Sequence, residues 1–223
     1  MSKKTYIITG HYGSGKTEFS LNLALKLSKQ NEKITIADLD SVNPYFRTRE
    51  KQDFLIQNNI HLVGSSLNNH TGQDIPALDF SFASNIKNDE YVIVDLGGED
   101  VGARVISSFK DSLCGNDYNF LCVLNSFRAE TNTSDKMINF IHKINTATLL
   151  KISGIVNNGH MLHYTTKDDI LACQYEIEKV SKELNIPILY TQIRSDIYEQ
   201  IKEKIISKHI ITFETLKIRE NWQ

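Results

Sequence analysis

Gly10-His11-Tyr12-Gly13-Ser14-Gly15-Lys16-Thr17 combines closely spaced glycines with a lysine and a hydroxyl, which together can hold a chain of phosphates. The stretch fits G-x-x-x-x-G-K-[ST] at every fixed position. Its glycines let successive backbone N–H groups turn inward on phosphate oxygens, and a helix behind them adds the partial positive charge of its N-terminus. In such a loop Lys16 reaches the β- and γ-phosphates and the Thr17 hydroxyl ligates Mg²⁺. His11, Tyr12, Gly13, Ser14, Gly15, Lys16, Thr17 and Glu18 are therefore the candidate phosphate-side residues.

Two further stretches carry acid groups. Tyr91-Val92-Ile93-Val94-Asp95-Leu96-Gly97-Gly98 is an apolar run ending in Asp95, with Gly98 three residues on. A carboxylate there stands beside the hydration shell of Mg²⁺, and the Gly98 N–H can swing toward a γ-phosphate. Lys33-Ile34-Thr35-Ile36-Ala37 leads into Asp38-Leu39-Asp40. Ligands collect at the C-terminal ends of strands in open parallel sheets, and alternation puts Asp38 and Asp40 on one face.

The elements that must position these groups are legible around them. Thr5-Tyr6-Ile7-Ile8-Thr9 reads as a buried strand before the loop, and residues 18–29 as a helix after it. Further strands are predicted at 33–37, 60–64, 91–96, 120–124, 151–156 and 188–190. Helices are predicted at 75–86, 134–146 and from Asp168 or Asp169 as cap to Leu184. Residues 41–50 read as a polar loop entering a helix toward Asn58, 65–74 as a loop, and 99–104 as a flexible acidic segment. Residues 191–196 read as a loop before another helix, while 205–223 show no clear boundary. Alternating strands and helices predict an α/β fold: a mainly parallel sheet with helices on both faces and right-handed crossovers. One domain over residues 1–223 accounts for the chain.

Composition excludes several classes. A formal net charge of −2 supplies no basic field for general nucleic-acid binding. No apolar run reaches membrane-spanning length, and the start Met1-Ser2-Lys3-Lys4 runs straight into the first strand without a signal peptide's apolar core. Cys114, Cys122 and Cys173 are odd in number and lack Cys-x-x-Cys spacing, so a reducing cytoplasm is expected. His160 and His163 lie three apart, with no carboxylate or cysteine to complete a metal site. Arg47, Arg49 and Arg128 are candidate anchors for an anionic group.

The loop, Asp38-x-Asp40, Asp95-x-x-Gly98 and a strand ending at Asn157 occur in the order of one branch of P-loop NTPases. The chain resembles the MinD/ParA/CobQ-like ATPases, and more widely the class shared with metal-enzyme maturation GTPases and signal-recognition GTPases. The resemblance runs from about Thr5 to Gln200. It implies that Asp40 positions the attacking water, Asp38 and Asp95 support the magnesium shell, and Asn157 contacts the base. It also implies ATP and Mg²⁺ as cofactors and a slow ATPase whose nucleotide state is read by a protein partner, with a homodimer as one arrangement.

Two departures bear on that expectation. MinD- and ParA-type loops carry an additional lysine that reaches across a dimer, and here that position is His11, whose neutral imidazole lacks the permanent charge. The loop itself looks like that of maturation GTPases, yet the guanine-reading N-K-x-D is not matched after Asn157, where Asn158, Gly159 and His160 follow. ATP is therefore expected over GTP, and residues 191–196 resemble the segment that closes over adenine. The competing expectations are a GTP-dependent maturation factor, a small-molecule kinase or ligase, and a nucleotide-gated binding module with little turnover.

Overall fold

The computed structural model describes residues 5–30, 33–40, 52–64, 91–113 and 118–218. The loop and helix expected at 41–50 and 65–86, with Arg47 and Arg49, lie outside the described residues, as does Cys114. Within them, eight strands form one sheet: β1 (Thr5–Thr9), β2 (Ile34–Leu39), β3 (Ile60–Gly64), β4 (Tyr91–Leu96), β5 (Tyr118–Leu124), β6 (Gly154–Asn157), β7 (Ile188–Arg194) and β8 (His209–Phe213). Their order is β3-β2-β4-β1-β5-β6-β7-β8, and every described pairing is parallel.

The helices are α1 (Lys16–Ser28), α2 (Gln52–Gln57), α3 (Asp100–Arg104), α4 (Lys110–Leu113), α5 (Ser134–Thr148), α6 (Lys167–Leu184) and α7 (Ser195–Ile201). Strand alternation sorts their contacts into two layers. Ile7, Val92, Val94, Leu96, Phe120, Cys122 and Leu124 pack with Met137, Ile141 and Ile144 of α5 and Cys173 and Ile177 of α6. Ile8, Ile93, Leu121, Val123, Ile34 and Ile36 take the opposite face, with Phe19, Leu23 and Ala24 of α1. A period of two in each strand thus supplies both cores. It also aims Asp38 and Asp95 at the α1 face, because Ile36 and Ile93 lie two residues before them. The register puts Asp38 beside Asp95.

Three expectations are corrected. Residues 99–104 are not a loose acidic segment, since α3 begins at Asp100. The stretch 191–196 is not a loop: β7 continues through Arg194, and α7 follows at Ser195 without a connection. Helix α6 is capped by Thr166 rather than by Asp168 or Asp169. Its hydroxyl accepts from Asp169 N while the Asp169 carboxylate accepts from Thr166 N, a reciprocal capping box. The unassigned tail supplies edge strand β8.

The capping box predicts that Thr166→Ala lowers unfolding free energy by about 1 kcal/mol, read from the shift of the urea midpoint at unchanged slope.

Candidate functional site

Loop 10–15 joins β1 to α1 at the C-terminal edge of the sheet, with β4 on one side and β5 on the other. Gly13 and Gly15 take φ of 72° and 87°, the left-handed region that glycine enters without steric cost. Gly15 is also the N-cap of α1 and offers no side-chain cap. The N–H groups of Lys16, Thr17 and Glu18 are thus left for an external acceptor. Ser14 Oγ is buried with no hydrogen-bond partner. Gly98 comes so close to the loop that a Cβ there would run into the Gly10 carbonyl.

The charged centre lies beside this loop. Lys16 Nζ meets Asp40 Oδ2 at 2.7 Å, with both side chains almost fully shielded from water. The Asp40 N–H donates to Asp38 Oδ1 at 3.2 Å, and the Thr17 hydroxyl bonds Asp95. Burial pushes the Asp95 carboxyl up to about 7 against the pull of Lys16, and the charges of Asp38 and Asp40 push the same way. Three carboxylates thus face one lysine, a charge balance that favours an added cation. Among the described residues no group of three or more His, Cys, Asp or Glu side chains is arranged to hold a metal by itself.

Other expected residues lie elsewhere. The Glu18 carboxylate turns away from the loop and accepts from Lys217 N at 2.7 Å, Ile218 N at 3.0 Å and Asn22 Nδ2 at 3.1 Å. His11 lies 3.9 Å from Glu130 and edge-on to Phe140, and Tyr12 is half exposed. Asn157 is fully buried at the end of β6, where its Oδ1 accepts from Gly159 N, while its Nδ2 has no hydrogen-bond partner. Its neighbour Asn158 reaches the loop instead, donating from Nδ2 to Ser14 O at 2.6 Å. Sequence reasoning missed this contact. The signal was an Asn-Asn pair at a strand end, of which only one amide can face the loop.

From Asn158 a buried polar relay runs across the α1 face. Gln192 Nε2 donates to Asn158 Oδ1 at 3.3 Å, and Asn22 Nδ2 lies 3.5 Å from Gln192 Oε1 and 3.1 Å from Glu18 Oε1. Gln192 in an apolar strand and Asn22 in a leucine-rich helix were its visible traces.

A cleft of about 500 Å³ opens at the ends of β6, β7 and β8, lined by His160, Leu162, Arg194, Asp196, Phe213 and Leu216 among others. Arg194 holds Asp196 through two bonds of 2.9 and 2.6 Å. His160 is buried, and its Nδ1 accepts from Leu162 N at 2.9 Å. Burial, with the charges of Arg128 and Arg194, pulls the ring down to about 4, so it is neutral. His163 is exposed, packs against Tyr164 and lines the same cleft.

These features define a phosphate cradle at the C-terminal edge of a parallel α/β sheet, the site of a P-loop nucleotide-binding protein. The CobQ/CobB/MinD/ParA nucleotide binding domain model matches residues 6–205, and the chain belongs to that family. No curated protein matches the sequence. Among solved structures, FtsY from Thermotoga maritima is similar at 19% identity and TM-score 0.59, covering 86% of this chain and 62% of that one. Chloroplast FtsY from Physcomitrella patens gives 17% identity and TM-score 0.58, covering 86% and 58%. The 54 kDa signal recognition particle protein from Aeropyrum pernix K1, solved with GDP, gives 14% and 0.56, covering 98% and 43%. At these identities the likeness is one of fold. The chain spans about three fifths of the FtsY chains' length. No described helix is long and apolar enough to cross a membrane.

A histidine whose folded pKa lies near 4 stays neutral while the unfolded chain takes up a proton below 6.5. Its contribution to stability is present above 6.5 and is lost as pH falls toward 4, an amount on the order of 3 kcal/mol. His160→Gln is expected to flatten unfolding free energy against pH between about 6.5 and 4, measured by urea unfolding across that window.

Proposed function

We propose that this chain is a Mg²⁺-dependent ATP-binding protein that hydrolyses ATP slowly and signals its nucleotide state to a protein partner. Residues 1–223 form one domain in this reading. The buried Lys16–Asp40 pair carries it, because a lysine at the start of α1 is held 2.7 Å from a carboxylate that a phosphate can replace. When phosphate enters, Lys16 turns to the β- and γ-oxygens, joined by the N–H groups of Gly13 and of residues 15–18, that of Ser14 being held by the His11 carbonyl. His11 and Tyr12 flank the cradle, Ser14 Oγ gains the partner it lacks, and Gly98 lies close enough for its N–H to sense the γ-phosphate.

Asp40, released from Lys16, accepts a hydrogen bond from water and orients it for in-line attack. Catalysis then rests on fixed positive charge where negative charge develops. The residues present fit Mg²⁺, since three carboxylates face one lysine and burial has raised Asp95. Thr17, Asp38 and Asp95 would hold the ion, mostly through its waters. A Mg²⁺ site built from one or two carboxylates plus phosphates need not exist as a closed protein cage. Once bound, the ion neutralises charge on the phosphates.

The 500 Å³ cleft suits the nucleoside, and Asn157, fully buried at the end of β6, would contact the base only if its side chain left Gly159. Adenine is favoured over guanine because the position of the base-reading carboxylate in N-K-x-D, His160, is not acidic here. The Gly97-Gly98 segment leads straight into α3, which makes α3 the surface through which nucleotide state reaches a partner. Cys122 and Cys173 are buried and free, as suits a reducing cytoplasm.

Calorimetry with ATP and GTP in Mg²⁺, paired with phosphate release, tests the reading. ATP is expected to bind more tightly, and Lys16→Ala to lose hydrolysis by about 100-fold or more. Asp40→Asn is expected to stop hydrolysis while binding ATP at least as tightly, because Lys16 no longer leaves a carboxylate. Tighter GTP binding would reverse the base assignment, and undiminished turnover in Lys16→Ala would defeat the mechanism.

A further inference from the structure

Arg128 stands at the phosphate cradle, on a loop that is itself bonded to His160 of the cleft. Its Nε donates to Gly13 O at 2.8 Å, and its Nε, Cδ and Cζ lie 3.3–3.7 Å from the place a Gly13 Cβ would occupy. In a loop whose N–H groups turn in on an anion, the carbonyls turn out. Arg128 therefore grips the outer rim of the loop rather than its phosphate-facing side. Its charge also acts on His160, together with that of Arg194, and those two residues line the cleft.

The loop that carries Arg128 is fixed from below. Asn125 Oδ1 accepts from Phe127 N at 2.9 Å, Asn125 Nδ2 donates to His160 O at 3.0 Å, and Thr131 Oγ1 donates to Asn125 O at 2.8 Å. Whereas Arg194 is matched by Asp196, no carboxylate among the described residues pairs with Arg128. With Nε committed to Gly13, the two Nη groups and the flat guanidinium face remain available.

We infer that Arg128 binds the nucleoside half of the nucleotide, its ribose oxygens and the face of its base, at a tilt set by the bond to Gly13. The inference rests on the nucleotide-binding reading above and assigns the residue that links its two halves. Phosphates in the cradle and a base in the cleft place the sugar between them, and Arg128 sits on the loop that bonds both Gly13 of the cradle and His160 of the cleft. The cation is supplied within one chain.

The test is calorimetry with ATP, ADP and inorganic tripolyphosphate, each with Mg²⁺, on the parent, Arg128→Ala and Arg128→Gln. The Gln variant keeps an N–H for Gly13 and serves if the Ala variant fails to fold, as judged by thermal unfolding. Arg128→Ala is expected to weaken ATP and ADP by the same factor, on the order of tenfold to a hundredfold, and to leave tripolyphosphate unchanged. Equal weakening of tripolyphosphate would mean that Arg128 only props the loop, and a larger loss for ATP than for ADP would mean that it faces the γ-phosphate. Either result overturns the inference, as does unchanged nucleotide affinity. A parent that binds neither nucleotide overturns the nucleotide reading, and the inference with it.

Discussion

The constraint on which the rest of this structure depends is an ion pair nearly removed from water, Lys16 Nζ to Asp40 Oδ2 at 2.7 Å. Removing two charges from solvent is expensive, and their attraction offsets the cost only when the geometry is close. Here the geometry comes from the fold. Lys16 opens α1, Asp40 follows β2, and β4 between their strands brings Asp95. Thr17 then bonds Asp95 and the Asp40 N–H bonds Asp38, so each acid is tied to backbone or side chain before a ligand arrives. The centre is short of positive charge, with Asp38, Asp40 and Asp95 around Lys16.

Most of this centre was legible in the sequence because its determinants are local. Glycine spacing specifies the loop, and a period of two in Ile34-Thr35-Ile36-Ala37-Asp38 and Val92-Ile93-Val94-Asp95 specifies which face each acid takes. The strands before them were found because buried parallel strands are uniformly apolar. Less legible were features that depend on distant partners. Asn158 rather than its neighbour reaches Ser14, and Glu18 turns outward although it adjoins the motif. Their partners come from β6 and from residues 217 and 218, which no local pattern connects to the loop. Strand β7 runs into α7 without the expected loop because apolar and β-branched residues continue past Tyr190, a feature that adjoining polar groups disguised.

Helix α1 shows what those distant partners accomplish. Residues 16–24 are buried on all sides, yet they include Glu18, Ser20 and Asn22. A helix so placed needs an acceptor or donor for each polar group. Ser20 bonds the Lys16 carbonyl at 2.9 Å, and Asn22 and Glu18 belong to the relay that starts at Ser14 and ends at two backbone N–H groups. The carbonyl side of the loop is thereby held by Asn158 and Arg128, leaving the N–H side to face inward.

That relay also imposes an order in time. Glu18 is separated by 199 residues from Lys217 and by 200 from Ile218, the groups that satisfy its carboxylate. Contacts of such separation form late, because the chain between them must first be organised. During synthesis the motif leaves the ribosome early, but the acid on its helix has no backbone partner until residues 217 and 218 follow. A nascent chain therefore carries the loop long before it carries the loop's full support, which residues 217 and 218 supply.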